Sequence, residues 1–251
     1  MNIESDFPPS NSIPVSSEMI AGFYDGYTDS QEDKGTNLRH YHLFRRLIKA
    51  GLKRNHTLLE VGCGIGSLTG LVHGYLKQGK VVAADISEKS ISIARKRLGN
   101  SSKVEFVVSD MQDFIYPGTF DFVVLADVLE HIPVEQHPKL FALLKRHMHD
   151  DSVIFINIPH PLIVRYFRKY HPDKLQIIDQ EVHADLITRN AFTNGLILKS
   201  YVTYSLFNRE ADYVEIILTS LNELERISPC AKNHIIRRKF LLRIFYWLSI
   251  R

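Results

Sequence analysis

Along this chain the spacing of apolar positions switches repeatedly between the two-residue period of a strand and the three-to-four-residue period of a helix. At 57–61, Leu58, Leu59 and Val61 form a short apolar run, the pattern of a buried strand, and Leu68, Leu71 and Val72 then take up helical spacing. Residues 80–85 read as a second strand. Ser87 is placed to cap a helix whose Ile91, Ala94 and Leu98 form one stripe. Residues 104–108 and 120–126 are strands three and four, 134–148 a helix and 153–158 strand five. Strands separated by helical stretches predict a parallel sheet covered on both faces.

The two ends read differently. Pro8, Pro9 and Pro14 among serines predict an irregular start over 1–20. Phe23, Tyr24 and Tyr27 stand among Gly22, Gly26, Asp25, Asp29 and Ser30, a turn-like segment whose aromatics either anchor a loop or close over a ligand. Leu38, Tyr41, Phe44, Leu47 and Ile48 then make an amphipathic helix ending near Gly51. Residues 183–194 are helical and stop at Gly195; 196–206 and 211–221 are β-rich runs joined at Phe207-Asn-Arg-Glu210, a hairpin. The expected fold is α/β: a doubly wound, mostly parallel seven-stranded sheet closed by a C-terminal antiparallel hairpin. It forms a single domain over 37–221, with an N-terminal helical cover or lid at 1–36, an insertion at 160–183 and a basic, apolar helical tail at 222–251.

Composition narrows this only slightly. In 251 residues, 45% hydrophobic and 24% charged are ordinary globular values. Two cysteines, Cys63 and Cys230, give no disulfide framework and fit a reducing compartment; Cys63 reads as a small buried filler rather than a nucleophile. With no signal pattern at the start and no spanning apolar stretch, the expectation is a cytoplasmic protein. The net charge of +3 is unevenly spread: residues 232–251 hold six Lys or Arg and no acid, leaving −3 on residues 1–231. An acidic body argues against a nucleic-acid partner. The tail is too apolar for a solvated arm and too charged to span a bilayer. It is either a packed final helix, on the body or in a homodimer, or a peripheral contact with an anionic membrane.

Candidate chemistry begins at Gly62-Cys-Gly64-Ile-Gly66, between the first strand and its helix. Such a loop brings backbone N–H groups to a ligand at a helix N-terminus. The dinucleotide fingerprint G-x-G-x-x-G would need glycine at Ser67, and here the third glycine comes one residue early. Asp85 ends the second strand, where a carboxylate can take a ribose diol. The segments LEVGCGIG (59–66), AADIS (83–87), VSDMQDF (108–114) and FDFVVLADVLEHI (120–132) resemble the motifs of class I S-adenosylmethionine-dependent methyltransferases, with the last similar to small-molecule and ubiquinone-type members.

That resemblance implies S-adenosylmethionine as cofactor and a role for each matching residue. Gly62, Gly64 and Gly66 would bring backbone against its methionine part, and Glu60 would order the loop or meet the ammonium group through water. Asp85 would hold the ribose hydroxyls and Ile86 would pack on the adenine. Asp110 would accept from the adenine amino group, and the Met111 N–H would meet a ring nitrogen. Ala126 and Asp127 would sit beside the methionine part.

For methyl transfer to a hydroxyl of a small-molecule acceptor, His131 is a candidate base after strand four, or else packs at a helix start; His160 after strand five is the next candidate. The insertion holds Tyr166, Tyr170 and His171 beside Arg165, Arg168 and Lys169, an expected acceptor cover suited to a sugar or other polyol, with Tyr24 and Tyr27 joining from the lid. A quinone, a phenol or an amino sugar is the alternative acceptor, and a cofactor-binding protein without transfer is the alternative class. His160, His171 and His183 match no common metal spacing, so no metal is expected.

Overall fold

In the computed structural model the described residues are 17–222 and 231–249; of the irregular start expected over 1–20, residues 1–16 lie outside them and 17–20 are instead the first turn of a helix. They form two units that part between Leu221 and Asn222. The first opens with helices α1 (Ser17–Lys34) and α2 (Leu38–Ala50). It continues as β1 (Thr57–Val61), α3 (Ser67–Tyr75), β2 (Lys80–Asp85), α4 (Glu88–Leu98), β3 (Val104–Val108) and β4 (Phe120–Ala126). The second half runs α5 (His137–Arg146), β5 (Met148–Pro159), α6 (Pro161–Tyr170), α7 (Ala184–Thr193), β6 (Leu196–Tyr204) and β7 (Tyr213–Ser220). The seven strands lie in the order β3-β2-β1-β4-β5-β7-β6, with β7 antiparallel to both β5 and β6.

Side-chain alternation along the central strands explains the two layers. Leu58 on β1 joins Val81, Phe122 and Phe155 under Leu43 and Leu47 of α2, Val72 of α3 and Ile91 of α4. Its neighbour Leu59 points the other way, with Val82, Val123 and Ile154, against Phe141 and Leu144 of α5 and Ile187 of α7. Both β1 residues are fully buried, as a strand covered on both faces requires.

Three elements differ from the pattern-based expectation. The turn-like stretch at 23–30 lies inside helix α1. Its glycines cost helix propensity, but Thr28 bonds back to the Tyr24 carbonyl at 2.7 Å, and Asp25 accepts from Ser87 Oγ at the start of α4. Strand β5 begins at Met148 rather than 153, because Ser152 Oγ donates to the Phe120 carbonyl and holds the polar His149-Asp-Asp151 segment beside β4. The β6–β7 connection spans residues 205–212. There the buried Asp212 carboxylate accepts from the backbone N–H groups of Leu206, Phe207 and Asn208 at 2.7–3.0 Å. The second unit contains α8 (Lys232–Ser249), whose apolar side chains are exposed. Among the described residues no helix is long and apolar enough to cross a membrane.

Candidate active site

The carboxyl ends of β1, β2 and β4 open into a cavity of about 430 Å³, roofed by residues of α1 and α2 and by the β6–β7 connection. The glycine loop is its floor. Gly62, Gly64 and Gly66 have φ of 70°, 53° and 76°, a left-handed run that residues with a Cβ adopt at a cost. The N–H groups of Gly62 and Cys63 share the Ala84 carbonyl at 2.8 and 3.0 Å, which fixes the loop to β2. Gly62 and Gly64 line the cavity. Gly66 instead starts α3, where a Cβ would come within 3.1 Å of Ala94 on α4, so close helix packing accounts for it.

Behind the loop, Glu60 is buried and accepts from Thr69 Oγ1 at 2.7 Å. Burial pushes its carboxyl up to about 8. The buried Cys63 thiol is likewise pushed up, consistent with a filler. Asp85 joins loop to helix: Oδ2 accepts from the Gly64 N–H at 2.7 Å and Oδ1 from the Ser87 N–H at 2.9 Å. Ile86, Asp110 and Met111 also line the cavity. Asp110 Oδ1 accepts from the Gln112 N–H, and the Met111 N–H donates to Ser109 Oγ at 3.0 Å. The N–H expected to meet a ring nitrogen is thus turned to a neighbouring hydroxyl.

At the end of β4, Ala126 and Asp127 line the cavity, and Asp127 holds a φ of 56°. Its Oδ2 lies 2.8 Å from Arg39 Nη1 of α2. Its Oδ1 is buried and has no hydrogen-bond partner. Burial raises the Asp127 carboxyl despite the opposing pull of Arg39. A buried acceptor facing a cavity between a glycine loop and a guanidinium fits a zwitterionic amino-acid group: the ammonium to Asp127, the carboxylate to Arg39.

Two cavity histidines have opposite roles. His40 Nδ1 accepts from the Asn37 N–H, so its proton is on Nε2; burial, with Arg39 and Arg97 adding to it, lowers its pKa to about 4. It can donate but not collect a proton near neutrality. His131 lies on the 3-10 turn Leu129–His131, and its Nδ1 sits 2.5 Å from the Ile178 carbonyl and 3.3 Å from Asp179 Oδ1. Both are acceptors, so Nδ1 carries the proton and the Nε2 lone pair is left. Tyr24 packs its ring edge-on to His131 at 6.2 Å. The Tyr27 side chain lies outside the described residues.

The other expected acceptor residues are elsewhere. His160 is the N-cap of α6, its Nδ1 accepting from the Leu162 N–H at 3.2 Å, and it does not line the cavity. Tyr166 packs its ring at a tilt against Tyr170 and against His171 just past α6, with ring centroids 5.0 and 5.7 Å apart, and none of the three lines the cavity. A strand-end position predicts a ligand contact, but α6 turns these side chains outward. The cavity wall is completed by Gln136, Gln176, Phe207 and Tyr213, along with Arg39 and His40, none of them evident as site residues from spacing.

The strand order, the glycine loop after β1 and the acids closing β2 and β4 define a class I methyltransferase fold. Residues 58–151 match the family described as "Methyltransferase domain". It is 26% identical over 161 residues to (S)-coclaurine N-methyltransferase of Thalictrum flavum subsp. glaucum, covering 63% of this chain and 41% of that protein. It is 32% identical over 94 residues to nodulation protein S of Sinorhizobium fredii, covering 38% of this chain and 42% of that protein. The chain therefore spans about two-fifths of the length of these relatives. Among solved structures it resembles magnesium protoporphyrin IX methyltransferase from Synechocystis PCC 6803 with bound S-adenosylhomocysteine. The TM-score is 0.63 at 18% identity, covering 81% of this chain and 99% of that one.

Proposed function

We propose that the protein transfers the methyl group of S-adenosylmethionine to a hydroxyl of a small-molecule acceptor. The observation that carries this reading is a single cavity holding both halves of the chemistry. Gly62, Gly64, Asp85, Met111 and Asp127 line it, as do Tyr24, His131, Gln136, Gln176 and Tyr213. When bound, S-adenosylmethionine would supply a methyl carbon activated by its sulfonium, with the neutral thioether of S-adenosylhomocysteine as the group that leaves when an acceptor oxygen bonds to that carbon. Asp85 holds the ribose hydroxyls, and the Arg39–Asp127 pair holds the amino-acid end. His131 Nε2 receives the acceptor's proton. The walls align the two reactants and exclude water.

A hydroxylated acceptor such as a sugar finds support in Gln136, Tyr213 and, from the 160–183 insertion, Gln176 in the cavity wall, and no longer in Tyr166, Tyr170 and His171. N-methylation is the second reading, favoured by the N-methyltransferase similarity over 63% of this chain. Calorimetric titration with S-adenosylhomocysteine and with NAD tests the cofactor. Transfer of labelled methyl to a panel of polyols, phenols and amines tests the acceptor, and His131→Ala should lower kcat for hydroxyl acceptors by about 10²–10⁴. Tight binding of NAD, with none of S-adenosylhomocysteine, would sink the reading.

The exposed, basic and apolar α8 supports a peripheral contact with an anionic membrane as part of the same reading, with a homodimer contact as its competitor.

A further inference from the structure

The cations of the 160–183 insertion have a use, although they do not line the cavity. Arg168 Nη1 donates to Glu181 Oε1 and Nη2 to the Asp179 carbonyl, both at 2.6 Å, and Arg165 Nε donates to Glu181 Oε2 at 2.9 Å. These bonds tie α6 to residues 179–181. That segment in turn grips the turn bearing His131. The Gln180 N–H donates to the Glu130 carbonyl at 3.0 Å, Gln180 Nε2 to the Ile132 carbonyl at 2.6 Å, and Gln180 Oε1 accepts from the Val134 N–H. Asp179 sits at the centre. Its Oδ2 accepts from the Gln176 N–H at 2.6 Å, closing a turn that aims the Ile178 carbonyl at His131 Nδ1. Its Oδ1 faces the same nitrogen at 3.3 Å.

We propose that Asp179 is a positioning residue: with the Ile178 carbonyl it holds His131 as the Nδ1-protonated tautomer, so that Nε2 is the atom that takes a proton. This rests on the reading of His131 as the proton acceptor. Around the ring stand Asp179 and Ile178 on the Nδ1 side, Glu130 Oε1 at 3.7 Å from Nε2, Asp127 further along the cavity, and the Tyr24 ring edge. Neither oxygen of the buried Glu130 has a hydrogen-bond partner. Burial raises that carboxyl well above its ordinary range, and at 3.7 Å from Nε2 it lies beyond hydrogen-bond distance of the ring. The carboxylate of Asp179 also lies where it stabilises the imidazolium formed once Nε2 is protonated.

The test is long-range ¹H–¹⁵N spectroscopy of the full chain, labelled in histidine and held near pH ~8.5, above the ordinary imidazole range. The His131 signals are assigned by their loss in His131→Gln. The wild type should show the proton on Nδ1. Asp179→Ala should lower the ratio of Nδ1-protonated to Nε2-protonated ring by about tenfold or more, the scale of one hydrogen bond to a charged group. Arg168→Gln should move it in the same direction by less. If Asp179→Ala does not fold, Asp179→Ser gives the same readout. An Nε2-protonated ring in the wild type, or an unchanged ratio in the folded variant, overturns the proposal. Because the measurement needs no cofactor and no acceptor, its result is separate from that of the functional reading. Full methyl transfer by His131→Gln would remove the base and leave the positioning intact.

Discussion

Gly62 and Val128 face each other so closely that a Cβ on Gly62 would lie 2.3 Å from Val128 Cγ2. The contact ties the glycine loop to the segment after β4, the two sides of the cavity floor. Gly62→Ala meets both this overlap and a φ of 70°. It should cost about 1–3 kcal/mol for the backbone alone, before any repacking. In denaturant unfolding, Val128→Ala should recover the steric part and leave the conformational part, so the double variant lies between the single variant and the wild type. Strict additivity of the two substitutions would show that the overlap relaxes elsewhere.

Asp85 accepts two backbone N–H groups, one from the glycine loop and one from the cap of α4. Losing these bonds in Asp85→Ala should loosen the loop, and under the proposed ribose-diol role the variant should weaken S-adenosylhomocysteine binding by about 1.5–3 kcal/mol. Hydrogen exchange of the Gly64 amide checks the first, calorimetry the second. Wild-type affinity in the variant would remove Asp85 from the cofactor site.

Glu60 gives a pH dependence of known sign. Its carboxyl is pushed up to about 8 by burial, against 4.5 ordinarily, so between these values the folded chain binds a proton that the unfolded chain releases. Stability then falls as pH rises through that window, and the penalty is complete above about 8. Asp85 and Asp127 are raised too and add the same sign, so the wild-type slope is shared. The comparison with Glu60→Gln isolates one group: its melting temperature should drop less between pH ~5 and ~8 than the wild type's. Parallel slopes would mean that Glu60 ionises freely in the fold.

Much of this molecule was legible in the order of its residues. The glycine loop, Asp85 and Asp127 stand at strand ends, and strand ends are readable from period-two runs. The sheet's switch to antiparallel at β7 was readable in the two β-rich runs after Gly195. The upper half of the cavity was not. Arg39, Gln136, Gln176 and Tyr213 come from segments up to 174 positions apart in sequence, and only the closed fold makes them neighbours. His160 was misleading for a physical reason: a histidine just before a proline-led helix is as well placed to cap it as to meet a ligand, and here it caps. In α1 the turn-forming composition of 23–30 was overridden by contacts such as Asp25 with Ser87. The insertion's cations suggested an acceptor cover, whereas Arg165 and Arg168 are paired to Glu181.

The helix α8 carries the last prediction. Ile235, Ile236, Phe240, Leu241, Leu242, Phe245 and Trp247 are all at least half exposed, interspersed with Arg237, Arg238, Lys239 and Arg243. The basic residues gather toward the N-terminal half and the apolar ones toward the C-terminal half, so the division runs along the axis rather than around it. Such a helix suits a surface where phosphates lie above hydrocarbon: each Lys or Arg near an anionic surface adds about 1 kcal/mol, and the buried aromatic and aliphatic groups add the rest. In flotation with vesicles containing anionic lipid, the full chain should rise with the lipid at low salt and less so as salt increases. A chain ending at Leu221 should stay in the soluble fraction. Equal, salt-insensitive recovery of both chains in the soluble fraction rules the membrane out. A concentration-dependent doubling of mass for the full chain alone, by sedimentation equilibrium, would then assign the helix to a second copy.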